Sequence, residues 1–251
     1  MQLKKFVLCA CAVAACGISA LSAEARDLLR VGTEPTFAPF EFLDTKSKDF
    51  TGYDMDLIRA VGEKAGYEVK ILNMGFDALI PAVLTGQIDV IAAGISITPE
   101  RQKRVDFTTP YYTSGVSMLV RKTDAQKFRT FDDLAGARIA VQIGTTGAEK
   151  AKGVKPAKVT SFNTTSEAFM DLMTGNSDAV LLDRPVLGYY LRNQAKAAKV
   201  LTIPPFISDA EEFGFAVKKG NKALLDKLNA AYAELKAAGE LDKIRAKWFQ
   251  E

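Results

Sequence analysis

The sequence predicts an α/β protein of two similar lobes joined by two crossing strands. Three observations carry this expectation. Strand-like and helix-like stretches alternate along the chain, the same order of elements occurs twice, and the last strand-like stretch is followed only by helices and so needs a sheet built much earlier. Alternation of this kind favours parallel sheets with helices on both faces.

Residues 28–33 form a short apolar run and read as a strand. Residues 54–65 set Leu57, Ile58 and Val61 at helical spacing, and Gly66 ends the pattern. A strand over 68–72, a helix over 77–85 stopped by Gly86, and an apolar strand over 88–92 follow. Thr98 has the chemistry of a helix N-cap, with Pro99 at the first helical position. A second block repeats the order, with strands over 138–142 and 178–182 and helices over 166–173 and 184–193. Leu84-Thr85-Gly86 and then Asp89-Val90-Ile91 are echoed by Met173-Thr174-Gly175 and then Asp178-Ala179-Val180. Arg30-Val31-Gly32-Thr33-Glu34 is echoed by Arg138-Ile139-Ala140-Val141-Gln142. Any two α/β units share some of this, so the echoes count only together with the repeated order.

Residues 213–217 read as a strand, and 221–236 and 239–249 as amphipathic helices. The first lobe is the natural host for that strand. The chain then crosses between lobes near residues 111–115 and again near 209–213, and two crossings make a hinge. The expected division is lobe 1 over residues 26–112 and 212–251, and lobe 2 over residues 113–211.

The N-terminus reads as an export signal over residues 1–25. Lys4 and Lys5 precede an uncharged run to Ala23, and Ala23-Glu24-Ala25 supplies a small-x-small cleavage pattern. The run is built from Ala, Cys, Ser and Gly, which makes a poor membrane anchor. A second reading is open: Val13-Ala14-Ala15-Cys16-Gly17 resembles a lipobox with Cys16 lipidated, although the stretch after Cys16 stays apolar to Ala23 as a continuing signal core would. Removing 25 of 251 residues leaves 226, ample for two lobes of roughly 100 residues each.

Composition excludes several chemistries. Cys9, Cys11 and Cys16 all lie in the signal region, and the chain has no histidine. A disulfide, a thiol nucleophile, a histidine base and a His/Cys metal site are therefore not expected in the mature protein, and no loop has the spacing of an all-oxygen cation site. No cofactor and no metal are expected. Lys4, Lys5 and Glu24 account for one unit of the net charge of +3, leaving +2 with both signs interspersed. That is too weak for a nucleic-acid partner, and no basic stripe with interleaved aromatics occurs. No other segment is long enough to span a membrane.

Gly32-Thr33-Glu34-Pro35-Thr36-Phe37-Ala38-Pro39-Phe40-Glu41-Phe42 and Gly52-Tyr53-Asp54-Met55-Asp56-Leu57 resemble the opening of polar amino-acid-binding proteins of ABC importers, solute-binding protein family 3 of the glutamine, lysine-arginine-ornithine and histidine types. The most specific piece is Ala93-Gly94-Ile95-Ser96-Ile97-Thr98-Pro99-Glu100-Arg101, with Val105-Asp106-Phe107 and Pro110-Tyr111-Tyr112 after it. Gly144-Thr145-Thr146-Gly147, Asp178-Ala179-Val180-Leu181-Leu182-Asp183, Gly239-Glu240-Leu241 and Lys247-Trp248-Phe249 complete the likeness, which covers essentially all of the mature chain.

The resemblance implies a two-lobe periplasmic-binding-protein fold of type II, an exported protein of the periplasm (soluble or lipid-anchored through Cys16), an amino-acid ligand, and delivery to the permease of an ABC importer by a monomer. It also implies a cleft at the strand ends, where open α/β sheets bind ligands.

Within that cleft the resemblance assigns roles. Arg101 would fork the ligand carboxylate, helped by Thr145 and Thr146 at a helix start. Asp183, a strand-end residue that could equally cap the following helix, would face the α-ammonium with the Gly94 carbonyl and the Ser96 hydroxyl; Ala93 belongs to the same turn. Phe37 and Phe76, either of which could be plain core, would clamp the ligand side chain. Glu34 would accept hydrogen bonds from its tip. The glutamine-binding pattern carries a lysine where this chain has Gln142 and a histidine where it has Leu182, which favours a cationic, arginine-like ligand over glutamine or another polar amino acid.

Two other functions stay open. Some proteins of this fold are cyclohexadienyl dehydratases, for which Glu34 is the conceivable acid. A sensor module would need a membrane helix or signalling domain after it, and the chain ends at Glu251, directly after its last expected helix; a free sensor partner is still compatible.

Overall fold

The computed structural model describes residues 26–249. The expected export signal and the lipobox around Cys16 lie outside the described residues.

The chain begins with β1 (Asp27–Thr33), then a small antiparallel sheet of β2 (Thr36–Phe37), β3 (Glu41–Leu43) and β4 (Phe50–Thr51). It continues through α1 (Tyr53–Lys64), β5 (Tyr67–Asn73), α2 (Phe76–Thr85), β6 (Val90–Ile91), α3 (Pro99–Gln102) and β7 (Val105–Phe107). Next come β8 (Tyr112–Ser114), β9 (Val116–Arg121), β10 (Arg138–Gln142), α4 (Thr146–Gly153), β11 (Lys158–Phe162), α5 (Thr165–Met173), β12 (Ala179–Asp183), α6 (Arg184–Asn193), α7 (Ala195–Val200) and β13 (Leu201–Thr202). The chain returns through β14 (Glu211–Phe213) and β15 (Ala216–Lys218) and closes with α8 (Lys222–Ala237) and α9 (Glu240–Trp248).

Two five-stranded sheets result, in the orders β5-β1-β6-β15-β7 and β11-β10-β12-β9-β13. They are built alike. In each, three strands run parallel and the fourth runs antiparallel. The echo in the sequence is therefore structural: β1 and β10 occupy matching places, as do β6 and β12. The Arg30 guanidinium and backbone N–H both donate to the Asp89 carboxylate, and Arg138 does the same to Asp178. Each pair ties one parallel strand to the approach of its neighbour.

The expected parallel strands are present, and one antiparallel strand is added to each set. β9 and β15 each continue directly from a strand that crosses between the sheets, so each enters its sheet running backwards. The single strand expected over 213–217 is likewise two: Gly214 separates β14, which pairs with β8, from β15, which joins the first sheet. The antiparallel ribbon of β8 and β14 lies outside both five-stranded sheets, where the chain passes between them, and it forms the hinge.

Helix ends follow local chemistry. Gly86 ends α2 with φ 76°, a left-handed cap that costs glycine nothing. The Thr98 side chain accepts the Arg101 N–H and starts α3 with Pro99 first in line. Thr164 and Glu167 form a reciprocal capping box at α5. Strand residues alternate between two cores: Val90 packs with Leu29, Val31 and Leu57 on one face, and Ile91 with Leu79, Ile88 and Ile95 on the other. Val180 and Leu181 divide in the same way in the second sheet. Covered on both faces, each sheet exposes its strand ends, and those ends meet at the cleft.

Candidate ligand-binding site

Four strand ends aim residues at the cleft. Glu34 follows β1, Gly94 and Ser96 follow β6, Gln142 ends β10, and Asp183 ends β12. Helix starts add Phe76 (α2), Thr146 (α4) and Arg101 (α3). Phe37, Phe76, Gly94, Ser96, Arg101, Gln142, Thr145, Thr146 and Asp183 line one space between the lobes. Its free volume of about 10 Å³ holds a single water at most. Beside it lies an outer cleft of about 1080 Å³, which shares Phe76, Arg101 and Thr146 and reaches Glu211 on the hinge. Three of the interactions across the cleft are Arg101 Nη2 to the Gly144 carbonyl (3.0 Å), Gln142 Nε2 to Glu34 Oε2 (2.8 Å) and the Thr165 N–H to Thr36 Oγ1 (3.1 Å). A ligand the size of an amino acid must replace some of these bonds.

Arg101 is fixed from its own lobe. Its Nη1 donates to the Ser96 carbonyl at 2.8 Å, and its guanidinium lies 5.5 Å from the Phe76 ring centroid. Burial lowers its pKa from the ordinary arginine value, opposed by the nearby carboxylates of Glu211, Asp183 and Glu149. An arginine remains charged under such a shift, so a partly desolvated cation stands here, suited to an anion. The guanidinium also covers part of the Phe76 ring, which leaves less of that ring for a ligand.

Asp183 is buried, and burial pushes its carboxyl up to about 7, with Glu211 adding to the rise. The Ser114 hydroxyl donates to Oδ1 at 2.8 Å and, with Arg101, acts in the opposite direction. Asp183 sits at the N-cap position of α6 yet makes no side-chain cap bond. The helix-cap alternative therefore does not account for the side chain.

Glu34 is also buried and raised by desolvation, opposed by hydrogen bonds from Thr36 Oγ1 (2.7 Å) and Gln142. It does not itself line the space; Gln142 does, and Gln142 also donates to the Asn163 carbonyl at 3.1 Å. Ala93 is outside the lining too, because its side chain packs in the apolar cluster with Leu79 and Ile95. Any contact it makes with a ligand is through its backbone. Thr145 lines the space but its hydroxyl is occupied, donating to the Gln142 carbonyl and accepting the Ala148 N–H as the cap of α4. Phe37 packs in an aromatic group with Phe40 (5.6 Å) and Phe213 (6.4 Å), so it is at once core and cleft wall.

Sequence reasoning missed Ser114, Thr36, Asn163 and Thr165. Ser114, Asn163 and Thr165 act through contacts 21 to 129 residues away along the chain, and Thr36 joins Thr165 to its near neighbour Glu34. Among the described residues no group of three or more His, Cys, Asp or Glu side chains is placed to hold a metal, and no helix is long and apolar enough to cross a membrane.

Residues 29–251 match the family described as bacterial extracellular solute-binding proteins, family 3. The chain is 35% identical over 233 residues to the ABC transporter arginine-binding protein 1 of Escherichia coli (strain K12), covering 91% of this chain and 93% of that protein. An ancestral arginine-binding protein bound to arginine superposes with a TM-score of 0.84 at 40% identity, covering 90% of this chain and all of the other. The same kind of protein bound to glutamine gives 0.84 at 42%, covering 91% of this chain and again all of the other. With its two-lobe fold, its ribbon hinge and a match that runs from the first strand to the last residue, the chain belongs to the bacterial extracellular solute-binding proteins of family 3.

Proposed function

We propose that the protein captures a polar L-amino acid, preferentially a cationic one such as arginine, and delivers it to the permease of an ABC importer. The observation that carries this reading is the convergence of a half-buried arginine from one lobe and a buried aspartate from the other on a single space. Arg101 takes the carboxylate, with the first N–H groups of α4 at Thr146 as further donors. Asp183 takes the ammonium, with the Gly94 carbonyl and the Ser96 hydroxyl. Each charge-assisted bond contributes roughly 1.5–3 kcal/mol and micromolar affinity needs about 8 kcal/mol net, so four bonds of about 2 kcal/mol reach it and only stronger ones leave a surplus for lobe closure.

Glu34, buried and held by Gln142, reads the ligand tip. A cationic tip relieves the desolvation of the Glu34 carboxylate, which a neutral tip does less well. Glutamine is the second reading, favoured by one observation: the group now bonded to Glu34 is itself a side-chain amide. The carboxyls at the site are assigned to charge recognition, so the protein is a binder and not a dehydratase-like enzyme. We further assign it to the periplasm as a monomer, with lobe 1 over residues 26–112 and 212–251 and lobe 2 over 113–211.

A thermal-shift screen of the twenty amino acids tests the assignment, since a ligand that binds only the folded state raises the melting temperature. Arginine or lysine should give the largest shift. No shift with any of them, or turnover of a cyclohexadienyl acid, overturns it.

A further inference from the structure

Beneath the Gly94 turn lies a buried carboxylate that the ligand clamp does not use. Asp54, in the first turn of α1, is 0% exposed. Its Oδ2 accepts the Gly94 N–H at 2.8 Å and the Tyr111 hydroxyl at 2.5 Å. Its Oδ1 has no hydrogen-bond partner among the described residues, and neither does Oε2 of the buried Glu41. Burial, with the Asp54 charge second, raises the Glu41 carboxyl well above the usual carboxylate range. Asp54 itself is raised by burial to about 6, opposed by its two hydrogen bonds.

Gly94 is unusual in its own right. It has φ +52°, and a Cβ placed on it would lie 2.5 Å from the Phe37 ring. Its carbonyl accepts no hydrogen bond among the described residues, although the residue lines the ligand space. Glycine adopts this conformation without cost, so nothing intrinsic to the residue holds the turn in place and an external restraint is what fixes it. Asp54 supplies one by fixing the peptide plane between Ala93 and Gly94. Tyr111 carries the restraint onward, since it immediately precedes β8 of the hinge, and its ring lies 4.7 Å from that of Phe215, beside β15.

We propose that Asp54 is a positioning residue of the ammonium subsite: bonded to both the Gly94 N–H and the Tyr111 hydroxyl, it anchors the Ala93–Gly94 peptide of the turn that presents the Gly94 carbonyl to the ligand, and couples that turn to the hinge. The inference rests on the amino-acid reading above. It assigns Asp54 no ligand contact. Its negative charge, one peptide unit from the subsite, adds attraction for an ammonium in a medium of low dielectric.

Calorimetry with two probes tests it: L-arginine, and δ-guanidinovalerate, which lacks the α-ammonium. Tyr111→Phe removes one donor to Asp54 and should weaken arginine by about fivefold, and Asp54→Asn, which removes the charge, by about tenfold or more. Guanidinovalerate should change less than about twofold, because it does not use the subsite. Unchanged arginine affinity in Tyr111→Phe, or an equal loss for both probes, overturns the proposal. If Asp54→Asn fails to fold, Tyr111→Phe alone decides. Wild-type protein that binds neither arginine nor glutamine would instead overturn the functional reading.

Discussion

Ligand affinity should depend on pH through Asp183. Its carboxyl is pushed up to about 7 by burial and by Glu211, against the pull of Ser114 and Arg101. An ammonium is held only by the ionised form, so binding expels a proton and affinity rises with pH. The sign for folding is opposite. A raised carboxyl pKa favours the protonated folded state, so this contribution to ligand-free stability is present below the unfolded value and is lost as pH rises through about 7. The ligand-induced rise in melting temperature should therefore grow with pH while the ligand-free melting temperature does not. At pH 5, about two units below the folded value, the loss of affinity relative to pH 8 is about 100-fold, or ~2.7 kcal/mol at 1.36 kcal/mol per unit. Parting the lobes rehydrates Asp183 and lowers its pKa, so that figure is a ceiling; a loss of at least about tenfold is expected. Titration calorimetry in buffers of different ionisation heat measures both the affinity and the proton released. Affinity that is flat between these pH values, with no proton exchange, would refute the assignment of Asp183 to the ammonium.

Three further outcomes are expected. Arg101→Ala should cost about 3 kcal/mol or more of binding, over a hundredfold, in a protein that still folds, because among the described residues the Arg101 guanidinium bonds two backbone carbonyls and stacks on one ring; equilibrium dialysis checks it. Glu34→Gln should weaken arginine by about tenfold or more while changing glutamine binding only a few-fold, so competition between the two ligands reads the difference directly. Gly94→Ala should abolish binding and lower the melting temperature, since its Cβ meets the Phe37 ring and its φ is left-handed; scanning calorimetry reads the second effect.

Much of this architecture could be read from local signals. Gly86, Thr98 and Pro99 marked helix boundaries because capping is chemistry of neighbouring residues. The doubled Arg and Asp positions marked the repeat, which the structure resolves into the matched pairs Arg30–Asp89 and Arg138–Asp178. The small sheet of β2, β3 and β4 escaped notice because strands of two or three residues present no period. The break at Gly214 escaped because an apolar run does not reveal which sheet each end joins.

At the site, the strand-end residues were legible, whereas what holds them was not. Ser114 reaches Asp183 from 69 residues away and Gln142 reaches Glu34 from 108, and no spacing encodes such pairs. Thr145 shows the converse: its hydroxyl was available on paper but is engaged as a helix cap, so the sequence motif is better explained by the start of α4.

A crystal structure with L-arginine tests the central claim most directly. The account predicts the α-carboxylate bidentate on Arg101 and the α-ammonium within about 3 Å of an Asp183 carboxylate oxygen, one from each lobe. An arginine held instead in the outer cleft between Lys150 and Glu211, with Asp183 bonded only to Ser114, would contradict it.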